Sequence, residues 1–367
     1  MKLLHVVGAR PNFPKLAPVH RAAEAAGLEQ CVVHTGQHYD DALSGSFFRD
    51  LAIRPPDVNL EVGSSSHAVQ VARIMERFEP VLERYAPDWV VVYGDVNSTA
   101  AAALVASKMN VRVAHVEAGL RSYDRRMPEE INRMVTDRLA DLLLVPSRDA
   151  VETLRAEGEP DEEIEFVGNV MIDSLFFALD MARRTGFRES IGLTRGSAFV
   201  VTLHRPSNVD DSSRLESIAD ALSQLAEQAP VIFAAHPRTA QRLAASGLSL
   251  GKTRVLEPLP YPKMLNLVEG ARVVITDSGG LQEETTALGV PCLTVRENTE
   301  RPITVTEGTN ALVPDPRDLF DAAMRATAPV AERRPEGWDG RAAERIIEAF
   351  RARDGSARRS LDKAAAR

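Results

Sequence analysis

The stretch Val273-Val-Ile-Thr-Asp-Ser-Gly-Gly-Leu-Gln-Glu-Glu284 decides how the rest of the chain is read. It opens with β-branched residues, breaks at Asp277-Ser278-Gly279-Gly280 and resumes with helical spacing at Leu281, Thr285 and Leu288. A strand running through a tight turn into a helix leaves backbone N–H groups without partners at the helix start. Those donors, with the positive end of the helix dipole, make a seat for an anion, most often phosphate. Gly279 and Gly280 let such a group approach the backbone closely. Glu284, one turn inside, is placed to meet something attached to that phosphate, such as a ribose hydroxyl. The plainer reading is an ordinary connection with Ser278 as N-cap, and a Ser-Gly-Gly turn alone does not separate the two.

Outward from this stretch, short β-branched runs alternate with helical patterns along most of the chain. In the first half the strand-like runs are residues 3–7, 31–34, 89–93, 113–116, 142–145 and 164–167. Helical patterns cover 14–26, 69–85, 98–109, 128–140 and 147–157. The rhythm pauses around 168–173, gives a helix over 174–184, and restarts with strands at 199–203, 231–235, 254–256, 273–276 and 291–295. Such alternation implies α/β units with parallel sheets. With 367 residues the chain is long enough for two domains. The expectation is two Rossmann-like domains facing a central cleft: 1–170, and 171–352 with its last helix (342–351) free to pack back on the first. Residues 353–367 read as a polar, mildly basic tail without order.

Composition narrows the function classes. The net charge of −8, with both signs interspersed, argues against nucleic acid as a partner. No apolar run approaches the ~20 residues of a membrane helix. The N-terminal run ends at Arg10 with no small-residue cleavage site, and reads as a first strand rather than a signal peptide. Cys31 and Cys292 lie in separate strand-like runs and read as buried, reduced thiols of a cytoplasmic protein.

In open parallel sheets, ligands bind beyond the carboxyl ends of the strands. After the first strand stand Gly8-Ala9-Arg10, with Lys15 following, and after the second His34-Thr35-Gly36-Gln37-His38. Gly94-Asp95 follows the third, and His115-Val-Glu-Ala-Gly-Leu-Arg121 covers the end of the fourth. In the second half come His204-Arg205, His236-Pro237-Arg238 and the Ser278 turn. Each residue has a duller alternative. Asp95 could bond its own turn through Asn97. Glu117 could pair with a base such as Arg121, though its place after a buried strand favours catalysis. Glu129 and Glu130 suit a helix start after Pro128, and Glu129 with Arg133 could be a surface pair. His34 and His38 have a zinc-like spacing but not the helical context, so no metal is expected. His204 and His236 could be core histidines, and Arg10 and Lys15 solvated charge. Carboxylates, cations and a phosphate seat together point to acid–base chemistry on a substrate with an anionic leaving group such as a diphosphate. No dinucleotide fingerprint follows the first strand and no Gly-x-x-x-x-Gly-Lys-Ser/Thr loop occurs, so neither a nicotinamide cofactor nor NTP hydrolysis is expected.

In order, Gly8-Ala9-Arg10-Pro11 with Lys15, Thr35-Gly-Gln-His38, Gly94-Asp95, His115–Arg121, Pro128-Glu-Glu-Ile-Asn-Arg133, Thr202-Leu-His-Arg205, Thr276–Glu284 and Thr299-Glu-Arg-Pro302 resemble the motifs of the non-hydrolysing UDP-N-acetylglucosamine 2-epimerases. The resemblance spans residues 2 to about 350. It implies a GT-B architecture, usually a homodimer, and cytoplasmic interconversion of UDP-N-acetylglucosamine and UDP-N-acetylmannosamine. The implied route eliminates UDP to a 2-acetamidoglucal and adds it back, with no cofactor. By resemblance, Asp95, Glu117 and Glu129 handle protons and the sugar, and His204 supports the leaving group. Arg10, Ser278, Gly279 and Gly280 hold phosphates, Glu284 the ribose, and Lys15, Arg133, His236 and Arg301 complete the charged lining. Tyr39-Asp40-Asp41 and Arg205-Pro206-Ser207-Asn208 depart from the stretches of members activated by their own substrate, and leave that regulation open. Relatives that act on other UDP-2-acetamido sugars, including diacetamido uronic acids, keep the substrate open as well. The alternatives are a GT-B glycosyltransferase using a UDP-sugar donor and a non-catalytic nucleotide-sugar sensor.

Overall fold

The computed structural model describes residues 1–36, 53–327 and 334–365, without the side chains of 10 and 355–365. By its internal contacts the chain forms two compact units, Met1–Ser174 with Glu336–Arg367, and Leu175–Pro335.

The first unit is a parallel sheet with helices on both faces. Its elements are β1 (Lys2–Val7), α1 (Phe13–Ala25), β2 (Glu29–His34), β3 (Val58–Asn59), α2 (His67–Tyr85), β4 (Trp89–Tyr93), α3 (Asn97–Lys108), β5 (Arg112–Val116), α4 (Pro128–Leu139), β6 (Leu142–Val145), α5 (Arg148–Glu157) and β7 (Ile164–Phe166). Helix α6 (Val170–Arg184) begins in this unit and ends in the next. The strand order is β3-β2-β1-β4-β5-β6-β7. Successive residues of a strand face opposite sides, and here both sides are apolar. Leu3, Val7, Val32, Val91, Val116 and Leu144 pack on one face, while Leu4, Val6, Val33, Val90, Val92 and Leu143 pack on the other.

The second unit contains α7 (Phe187–Ser190), β8 (Phe199–Thr202), α8 (Pro206–Val209), α9 (Ser212–Gln228), β9 (Val231–Ala234), α10 (Pro237–Ser246), β10 (Arg254–Leu256), α11 (Tyr261–Glu269), β11 (Val273–Thr276), α12 (Gly279–Leu288), β12 (Cys292–Thr294), α13 (Ile303–Thr306), β13 (Asn310–Leu312) and α14 (Leu319–Arg325). Its sheet runs β10-β9-β8-β11-β12-β13, again all parallel. Both sheets therefore grow outward in two directions from their first strand. The carboxyl ends of β1 and β4, and of β8 and β11, flank the point where the winding reverses, which is where such sheets bind ligands.

The final helix, α15 (Ala342–Ala365), belongs to the first unit. Its Ile346, Ile347 and Phe350 join the core with Phe13, Leu16 and Trp89, and the Trp89 and Phe350 rings meet edge to face at 5.4 Å. Asp173 accepts the free N–H groups of Ala342 and Ala343 at 3.1 and 2.8 Å, satisfying the start of α15 from outside the helix. Residues 353–365, read from their polarity as an unordered tail, instead continue this helix. Their alanines, arginines, leucine and lysine are strong helix formers. Cys31 and Cys292 are buried thiols, pushed up to about 11 by burial. Among the described residues no helix is long and apolar enough to cross a membrane.

Candidate active site

In the first unit the register of β4 on β5 pairs Tyr93 with Val116, so Gly94-Asp95 and Glu117 emerge side by side. Glu117 is buried and ion-paired with Lys15, from the first turn of α1. Its basic partner is thus Lys15 and not Arg121. Gly94 lies against this pair, since a Cβ there would touch the Lys15 ammonium and stand 3.5 Å from Glu117 Oε2. Asp95 pairs with Arg133 Nη2 at 2.5 Å, and Arg133 Nη1 reaches Glu130 Oε2 at 2.7 Å. Glu130, buried on α4, also accepts the N–H groups of Ser122 and Tyr123 at 2.9 and 2.8 Å. These bonds hold the Glu130 carboxyl below the usual range against the opposing effect of burial. The helix-surface pair open to Glu129 and Arg133 is replaced by Glu130–Arg133, and Glu129 stands half-buried on the first turn of α4. Asn97 does not cap an Asp95 turn: its side chain bonds Gln70 at 2.7 Å, and Asn132 donates to the Asp95 carbonyl at 2.9 Å.

The Gly8 turn is closed by Asn12, whose Oδ1 accepts the N–H groups of Gly8 and Ala9 at 3.0 and 3.1 Å. A Cβ at Gly8 would collide with the hydroxyls of Ser98 and Thr35. Arg10 opens a short 3-10 turn over Arg10–Asn12, and its side chain is outside the described atoms. His34 accepts the Gly36 N–H at 3.0 Å and stacks on Phe13, while Gln37, His38 and Tyr39-Asp40-Asp41 lie outside the described residues. Among the described residues no group of three His, Cys, Asp or Glu side chains is placed to hold a metal ion.

In the second unit the opening stretch forms β11, a turn and α12. Helix α12 starts at Gly279 with no acidic residue in its first turn and no cap from the Ser278 hydroxyl, which leaves the helix-start donors to an anion. A Cβ at Gly280 would meet nothing within 4 Å, so the approach is open there. A Cβ at Gly279 would stand 2.9 Å from Arg301 Nη1, which puts that guanidinium beside the turn. Arg301 is braced by Glu283 at 2.9 Å and Glu300 at 3.0 Å, and Glu300 also binds Arg296 at 2.9 Å and Arg205 at 3.7 Å. Burial opposes the Glu300 charge, but these arginines hold its carboxyl down at about 2.

Asp277 is fully buried and ties the β11 turn to the end of β8. Its carboxylate lies 2.9 Å from His204 Nδ1 and accepts the backbone N–H of His204 at 3.1 Å, of Arg205 at 2.9 Å and the Asn208 amide at 3.1 Å. His204 is no core histidine: its side chain is 42% exposed, with Nδ1 turned to Asp277. Burial pushes the Asp277 carboxyl up, but the bonds from His204, Arg205 and Asn208 hold it below the usual range. His236 is exposed and caps α10, accepting the Arg238 N–H at 3.3 Å. Glu284, buried on α12, receives the Tyr261 hydroxyl at 3.1 Å. Burial pushes its carboxyl up to about 7, with Tyr261 lowering it and Glu283 adding to the rise. The roles of Asp277, Glu283, Glu300 and Glu130 escaped the sequence reading: the partners of Asp277 lie far along the chain, and a glutamate with an arginine nearby in sequence reads as surface charge.

The family model described as UDP-N-acetylglucosamine 2-epimerase matches residues 20–351. The chain belongs to this epimerase family. A UDP-N-acetylglucosamine 2-epimerase of Methanocaldococcus jannaschii is 39% identical over 95% of this chain and 98% of its own. A UDP-2,3-diacetamido-2,3-dideoxy-D-glucuronate 2-epimerase of Pseudomonas aeruginosa is 43% identical over 89% of this chain and 92% of its own. The crystal structure of the M. jannaschii enzyme in complex with UDP-GlcNAc and UDP superposes with a TM-score of 0.85, at 39% identity, over 96% of this chain and 100% of that one. The epimerase thus has the two Rossmann-like units of the GT-B class.

Proposed function

We infer that this epimerase interconverts UDP-N-acetylglucosamine and UDP-N-acetylmannosamine by eliminating and re-adding UDP. The observation that carries this reading is the pairing of two carboxylates at neighbouring strand ends, Glu117 with Lys15 and Asp95 with Arg133. One carboxylate removes the C2 proton as the C1–O bond to UDP breaks, giving 2-acetamidoglucal. UDP then re-adds at C1 while an acid delivers a proton to the opposite face of C2. Asp95, Glu117 and Glu129 share this proton handling and the sugar contacts. His204, its ring oriented by Asp277, meets the charge developing on the departing diphosphate. Arg10, Ser278, Gly279 and Gly280 hold the phosphates, Glu284 the ribose, and Lys15, Arg133, His236 and Arg301 complete the charged set.

A second reading, epimerisation of a UDP-diacetamido uronic acid, is favoured by the 43% identity to the P. aeruginosa enzyme. Incubation of each UDP-sugar alone in heavy water decides. Deuterium at C2 with the manno isomer from UDP-N-acetylglucosamine supports the first reading. Exchange confined to the uronate selects the second. No exchange with any UDP-2-acetamido sugar rejects both, and a glycosyltransferase would behave in that way.

The same reading takes the enzyme as a cytoplasmic homodimer supplying polysaccharide precursors. Exposed Ile131 and Val135, one turn apart on α4, support a partner surface. Light scattering on a size-exclusion column tests it, and a monomeric wild type would end the dimer.

A further inference from the structure

Glu117 has φ +75°, left-handed backbone that is strained for a residue other than glycine. Such strain persists only where the surroundings over-determine it. Here one buried carboxylate supplies the constraint. Asp137, near the end of α4, accepts His115 Nδ1 at 2.6 Å through Oδ1. Through Oδ2 it accepts the Gly119 N–H at 3.2 Å and Arg121 Nη1 at 2.7 Å. It therefore grips the chain on both sides of Glu117. Arg121 is anchored in turn by two bonds to Glu157, at 2.9 and 2.7 Å. Gly119 backs onto α5 so closely that a Cβ would stand 2.6 Å from the Ala150 carbonyl. His115 carries the constraint to the next strand, donating from Nε2 to the Gly94 carbonyl at 2.8 Å, one residue before Asp95. Burial pushes the Asp137 carboxyl up, yet His115 and Arg121 hold it below the usual range.

We propose that Asp137 and His115 are positioning residues that lock the strained Glu117 backbone and set its spacing from the Asp95 loop, so that two carboxylates address one carbon. The proposal rests on the epimerase reading of Asp95 and Glu117. Asp137 and His115 act only through those two residues.

The test is Asp137→Asn, which keeps the side-chain volume but turns a donor toward groups that themselves donate. A misplacement of about 1 Å at a reacting group costs on the order of 100-fold, so kcat falls by about that factor while KM and UDP affinity stay near wild type. In heavy water the wild type couples C2 exchange to inversion. The variant shows more deuterium in recovered starting sugar per epimer formed, because delivery to the second face suffers most. His115→Gln, which retains a donor toward Gly94, shows the same signature more weakly and serves if Asp137→Asn fails to fold. Wild-type kcat and an unchanged exchange-to-inversion ratio overturn the proposal. So does a parallel loss of kcat and UDP affinity at an unchanged ratio, which marks a merely structural role. If the wild type exchanges no C2 proton, the epimerase reading fails and the proposal with it. Wild-type exchange with unaffected variants refutes the positioning role alone.

Discussion

Glu117 and Glu284 are both buried carboxylates, and their different partners give them different predicted behaviour. Glu117 faces a full cation, Lys15. Glu117→Gln should abolish C2 exchange and leave the UDP dissociation constant nearly unchanged; equal loss of both would make Glu117 structural. Glu284 faces a neutral phenol and a second carboxylate, and burial raises it from 4.5 to about 7. The folded state then holds a proton that the unfolded chain has already lost. This contribution to stability is full below about pH 4.5 and disappears as pH rises through about 7. Glu284→Gln should therefore raise the Tm more at about pH 8 than at about pH 5; an equal shift at both would refute the sign. Ser278→Ala removes a hydroxyl at the anion seat and should weaken UDP binding by about 1 kcal/mol, a several-fold rise in Kd. An unchanged Kd would remove the phosphate from that turn. At this scale the sequence exposes the residues beyond strand ends but not what holds them. Lys15 and Glu117 are 102 positions apart (117 − 15), and no local pattern links them.

At the scale of elements, legibility follows length and periodicity. The runs 89–93, 142–145, 254–256 and 273–276 are read with the bounds they have in the fold, because short, largely apolar runs, β-branched in 89–93 and 273–276 and leucine-rich in 142–145, stand between sharp breaks. The strand Val58–Asn59 is too short to carry a pattern. Helix α9 does carry one, with Leu215, Ile218, Leu222 and Leu225 buried along one face, and a reading built on strands passes over it. Helix α15 is legible as a helix, and its packing back on the first domain only as an option, since an apolar stripe names no partner. The fold shows it completing the Trp89 core through Phe350. Phe350→Ala should destabilise the first unit by about 3–5 kcal/mol, measurable by denaturant titration. A loss below about 1 kcal/mol would show that the helix is dispensable.

At the scale of the whole molecule, two sheets of the same winding share one chain but not one continuity. The second unit is the unbroken stretch 175–335, while the first is interrupted by it and finished by α15. This has a consequence for biosynthesis. The segment that leaves the ribosome first cannot close its core until residues some 340 positions later have emerged, whereas the inserted segment is complete as soon as its own last helix is made. The half translated first is thus the half that matures last. A chain ended after Pro335 should keep a UDP-binding unit and lose C2 exchange, and equal loss of both would refute this order. A stop codon between Pro335 and α15 would then spare the module nearest to it and silence the one encoded before it.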